Sequence, residues 1–112
     1  MKNTIKSHKN FKFPESNWIV QGPFHFKWRD KLFDGAEYGL VVTKKTFPTA
    51  VARNRAKRLL RVWIMANKLP QGHDLLFVAR PSVLETARKD GIRHVKTALK
   101  KMEKLGRADA KA

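Results

Sequence analysis

The stretch FHFKWR (24–29) alternates aromatic with basic residues. A period of two is the signature of a strand, with Phe24, Phe26 and Trp28 on one face and His25, Lys27 and Arg29 on the other. Trp18-Ile19-Val20, ahead of Gly22-Pro23, predicts a short strand before it. YGLVVT (38–43) predicts another after the turn-rich DKLFDGAE, where Asp34-Gly35 supplies the reversal. From residue 50 the period becomes helical. Thr49 in a capping position, with Pro48 just outside, predicts a helix over about 50–67 that ends at Leu69-Pro70-Gln71-Gly72. DLLFVAR (74–80) is continuously apolar, as a central strand covered on both faces requires. Ser82 with Glu85 forms a capping-box pattern for a short helix to Gly91. Ile92, Val95, Leu99 and Met102 then predict a last helix to about residue 105.

This order implies an α+β fold, a two-layer sandwich with helices mainly on one face of a small sheet and the other face partly open. At 112 residues the chain suits a single domain, 1–112, with a basic arm (1–10) and a tail (106–112) expected to be flexible.

Charge narrows the partner. Lys plus Arg number 25 against 9 Asp plus Glu, a formal net charge of +16, and such self-repulsion opposes compaction unless an anion screens it. The obvious anion is a phosphate backbone. With 42% hydrophobic residues the chain can still build a core. The absence of cysteine excludes disulfides and thiolate metal sites and fits a reducing cytoplasm. His8, His25, His73 and His94 lack ligand-like spacing, and no apolar run approaches the ~20 residues of a membrane span. The expected protein is cytoplasmic, with no membrane partner and no protein oligomer required.

The charge concentrates in AVARNRAKRLLR (50–61), which holds five cations and Asn54. On a wheel of about 100° per residue with Val51 at zero, Ala52, Ala56, Leu59, Leu60 and Trp63 fall between about 80° and 180°, the stripe expected to pack on the sheet. Arg53, Lys57, Arg61, Asn54 and Arg58 run from about 200° to 340°, while Arg55 lies near 40°, at the seam, where it could brace the helix against the sheet. A solvated helix usually interleaves charge signs, yet no acid occurs from Thr43 to Gln71. A polyanion reverses each of these repulsions. Arginine forks meet phosphate bidentately, Asn54 can read a base edge or ribose hydroxyl, and Lys44 and Lys45 extend the surface.

The segment GLVVTKKTFPTAVARNRAKRLLR (39–61) resembles the signature of the bacterial ribonuclease P protein subunit: a strand ending in Thr-Lys-Lys, a turn, Ala-Val, then Arg-Asn-Arg-x-Lys-Arg-x-x-Arg. LPQGHDLLFVARPS is similar to that family's following strand, so the resemblance covers residues 38–81 best. It implies a four-stranded sheet with a left-handed βαβ crossover, against the usual hand. It also implies a protein that binds a catalytic RNA subunit and the 5′ leader of precursor tRNA, assisting endonucleolytic removal of the leader. The active centre would lie in the RNA, with Mg²⁺ bound mainly there. By position, Arg53, Asn54, Arg55, Lys57, Arg58 and Arg61 become RNA contacts, beside Lys44 and Lys45 on the same surface. Phe13, His25 and Lys27 become candidates for the leader cleft. Phe24, Phe26 and Trp28 read first as core, with an aromatic platform for unstacked bases as the alternative.

Two other function classes stand beside this one. Size and composition equally suit a ribosomal or other structural RNA-binding protein without a processing role. A self-sufficient nuclease needs metal-binding carboxylates or an acid–base pair, and the nine acids are scattered.

Overall fold

A computed structural model describes residues 18–30, 38–70 and 73–111. The strands are β1 (Trp18–Gln21), β2 (Phe24–Asp30), β3 (Tyr38–Val41) and β4 (His73–Ala79), and the helices are α1 (Ala50–Met65) and α2 (Arg88–Lys111). They form one four-stranded sheet in the order β1-β2-β4-β3, in which β3 runs parallel to β4 and the other pairs are antiparallel. The parallel pair is joined through α1, so the basic helix is the crossover of a βαβ unit.

Register assigns the two sheet faces. Phe24, Phe26 and Trp28 lie opposite Ala79, Phe77 and Leu75, and all six are buried. They meet Ala56, Leu60, Trp63 and Ile64 of α1 and Val95, Ala98, Leu99 and Met102 of α2 in one cluster. The aromatic face of β2 is therefore core, packed by edge and tilted contacts among Phe24, Phe26 and Phe77. The other face carries Trp18, Val20, His25, Lys27 and Val78, with Trp18 and Val20 exposed. It also holds Arg29 and Asp74, a buried ion pair with Nε to Oδ2 at 3.1 Å. β4 is thus enclosed on both sides, as its unbroken apolar run implies.

Two local expectations change. The Ser82–Glu85 pattern does not cap a helix reaching Gly91. Pro81–Glu85 is a 3-10 turn with no side-chain cap, and the Ser82 carbonyl accepts from Thr86 Oγ1 at 2.7 Å. The chain resets at Thr86, and α2 takes in Gly91 and continues to Lys111, past the expected end near residue 105. Gly91 sits inside the helix because α2 crosses α1 there: a Cβ would lie 2.1 Å from the Trp63 ring. Close approach, not chain reversal, selects this glycine. Phe13, the Asp34-Gly35 reversal and residues 1–10 lie outside the described residues.

Candidate nucleic-acid interface

α1 begins where the sequence implies. Thr49 has an extended backbone, and its Oγ1 accepts from Ala52 N at 3.1 Å. The preceding turn is closed by Phe47 N donating to the Thr43 carbonyl at 2.9 Å and by Thr46 N donating to Thr43 Oγ1 at 3.3 Å. Buried Phe47 anchors this turn in the core, while Lys44 and Lys45 project from it, exposed.

The buried arc of α1 is Trp63, Ala56, Leu60 and Ile64, from about 120° to 220° on the same wheel. The helix is thus rotated by about 40° from the sequence-derived stripe, and Ala52 and Leu59 are only half-buried. That rotation exchanges two arginines. Arg53, near 200°, falls on the core side and folds back, its Nη1 donating to the carbonyls of Phe47 at 3.0 Å and Pro48 at 3.2 Å. Arg55 is exposed. The bracing role open to Arg55 in the sequence belongs to Arg53, and Arg55 joins the outer arc.

Asn54, Lys57, Arg58 and Arg61 come together around a shallow recess of about 370 Å³ whose apolar part is Val62 and Met65. Val51 and Met65 are exposed beside these cations. The first turn of α1 contains no acid and its last turn no base, so neither end carries the charge that the helix macrodipole favours. Arg53 and Arg55 at the positive end of the dipole weaken the free helix and strengthen its attraction for an anion.

On the opposite side of the sheet, Trp18 and His25 stack with ring centroids 5.4 Å apart and planes 6° apart. Burial, then the charges of Arg80 and Lys27, hold the His25 pKa below its usual value of 6.5. Arg80 is tied to the β1–β2 turn by Nη1 donating to the Gly22 carbonyl at 2.9 Å. A flat aromatic pair beside cations can stack an unpaired base and hold its phosphate. His25 and Lys27 share this face, as their alternation implied. Trp18 and Arg80 were not singled out in the sequence, although the period-two pairing of WIVQ against β2 places Trp18 beside His25. Among the described residues no group of three or more His, Cys, Asp or Glu side chains could hold a metal ion, and no helix is long and apolar enough to cross a membrane.

The family model described as Ribonuclease P matches residues 2–103. The ribonuclease P protein component of Marinomonas sp. is 38% identical over 76 residues, 67% of this chain and 58% of that protein. That of Legionella pneumophila (strain Corby) is 35% identical over 78 residues, 70% of this chain and 68% of that protein. The match thus spans 58–60% of the length of the Marinomonas relative and of a Dehalococcoides mccartyi relative. In structure, the Staphylococcus aureus RNase P protein superposes with a TM-score of 0.67 at 19% identity, covering 89% of this chain and 94% of that one. The Thermotoga maritima RNase P protein gives 0.60 at 23% identity, covering 76% and 82%. At these identities the two structures establish the fold.

Proposed function

The chain belongs to the ribonuclease P protein family, as the match over residues 2–103 establishes, and on that premise we propose that it is the protein subunit of ribonuclease P. It binds the catalytic RNA subunit through the outer arc of α1 and holds the 5′ leader of precursor tRNA against the sheet face opposite the helices. The observation that carries this reading is the one-sided helix. Arg55, Arg58 and Arg61 are exposed on a single arc with Asn54, and no acid lies between Thr43 and Gln71 to neutralise them. Water gains nothing from this arrangement, while a phosphate backbone turns every like-charge repulsion into attraction.

The two faces divide the work. Arginine forks and Asn54 suit a folded RNA that offers phosphates together with base edges. The Trp18–His25 stack with Lys27 and Arg80 suits an unpaired strand, which offers one flat base and one phosphate at a time. Chemistry at the scissile phosphodiester and the Mg²⁺ it uses belong to the RNA in this reading, so the protein's part is to bind and orient, in the cytoplasm. Arg58→Ala with Arg61→Ala tests the helix. The salt dependence of binding to the catalytic RNA becomes shallower by about one unit per lost phosphate contact, and an unchanged slope means these side chains face water.

A further inference from the structure

α2 carries a second row of cations that this reading leaves unused. Counted from Arg88 at about 100° per residue, Lys96, Lys89, Lys100, Arg93 and Lys104 fall between about 80° and 160°. All five are exposed. The core contacts of the helix, Ala98, Met102, Val95 and Leu99, lie on the opposite arc, from about 280° round to 20°. Two acids lie beside the row: Asp90 pairs with Arg93 of the row, accepting from its Nη2 at 3.2 Å, and exposed Glu103 borders a recess with Lys68 and Leu69, just past the end of α1. Lys101 is outside the row, its Nζ donating to Gln21 Oε1 of β1 at 2.7 Å.

We propose that this ridge is a second phosphate track, which seats the backbone of a double-helical RNA segment apart from the RNA met by α1. The proposal rests on the RNA-binding reading above and adds a second surface to it. From Lys89 to Lys104 the ridge is about 22 Å long at 1.5 Å per residue, a straight rod rather than a pocket. Its composition also differs from that of α1. Four of its five cations are lysine, a compact point charge suited to phosphate without base reading, whereas the outer arc of α1 presents arginine forks and Asn54. Residues 88–111 contain no Phe, Tyr or Trp, so the ridge offers no platform to the splayed bases of a single strand. A duplex hides its bases and shows a regular line of phosphates, which is all this surface can recognise. Lys89 with Arg93, Lys96 with Lys100, and Lys100 with Lys104 are like-charged neighbours four apart, which weaken the helix until an anion covers them. The ridge points away from the sheet, so its occupant leaves the Trp18–His25 face free.

The test is a salt series with Lys96→Ala/Lys100→Ala on three probes: the cognate catalytic RNA, a 20-base-pair RNA duplex and a single strand of the same length. Alanine favours helix, so a folded variant is expected; Lys89→Gln/Arg93→Gln serves as an independent second pair. The expected result on the catalytic RNA is a log K against log salt slope shallower by about two units, near 0.9 per contact. That change adds to the one from Arg58→Ala/Arg61→Ala, and the duplex loses more affinity than the single strand. An unchanged slope for both α2 pairs, while the α1 pair changes it, overturns the ridge alone. No change from either helix overturns the RNA-binding reading and the ridge with it. Equal losses on duplex and single strand overturn the assignment to a double helix.

Discussion

Arg53 donates from Nη1 to the Phe47 carbonyl at 3.0 Å, so the first arginine of the Arg-Asn-Arg run holds the turn that precedes its own helix. The same nitrogen reaches the Pro48 carbonyl at 3.2 Å. Together with the Thr49 cap, Arg53 therefore ties the first turn of α1 to the chain just before it.

Arg53→Ala should lower stability by about 1 kcal/mol, the net worth of such hydrogen bonds. Arg53→Lys keeps the charge but loses the fork, and should recover little of that loss. Arg55→Ala and Arg58→Ala, exposed and away from the core, should stay within about 0.5 kcal/mol of the parent. Urea unfolding of the four variants separates the bracing arginine from the outward ones.

Most of the fold was legible because its signals are local. The alternation of FHFKWR, the apolar run of β4 and the Thr49 cap each depend on neighbours within a few residues. The rotation of α1 is not local, because it depends on Ile64 and Trp63 packing into the core with the sheet and α2. An apolar stripe that includes small Ala52 leaves its own centre ambiguous, and Arg53 and Arg55 traded places on that ambiguity. The alternation separates the two faces of β2, whereas the Trp18–His25 stack needs strand register and cannot be read from it. Gly91 looked like a helix end because only tertiary packing reveals the Trp63 ring beside it.

Gly91→Ala is the direct check on that crossing. In an isolated helix alanine is favoured by about 1 kcal/mol, but here the new methyl meets Trp63 at 2.1 Å. Overpacking of this kind costs about 1–3 kcal/mol. Thermal unfolding should show a net loss, and a gain would mean that α2 and α1 stand further apart.

Asp74 is fully buried against Arg29, whose own exposure is 5%. Asp74→Ala removes the carboxylate that faces buried Arg29 Nε and should cost about 3–5 kcal/mol, with Arg29→Ala similarly damaging. In the Arg29→Ala/Asp74→Ala double variant the loss should be smaller than the sum of the two single losses, because both remove the same contact. Chemical denaturation of the three variants gives the coupling directly.

His25 supplies a pH signature. Burial and the Arg80 and Lys27 charges depress its folded pKa below 6.5, so between those two values the unfolded chain binds the extra proton. Stability is therefore fully present above the unfolded value and is lost as pH falls through it toward the folded one. A bound leader phosphate opposes the depression, so leader affinity should rise as pH falls through the His25 titration. Following the imidazole by NMR should show its pKa rising in Lys27→Ala, and rising again when a single-stranded leader is added. A titration that ignores both would place the leader elsewhere.

Cleavage of precursor tRNA at low magnesium separates a subunit that assists an RNA catalyst from a protein that works alone. The cognate catalytic RNA is incubated with substrate alone, with the protein, and with Arg58→Ala/Arg61→Ala, beside a sample of protein without RNA. The protein should stimulate removal of the 5′ leader by the RNA, the double variant should stimulate it less, and protein alone should cleave nothing. Cleavage by protein alone, or an RNA that works equally well without the protein, would contradict the assisting role.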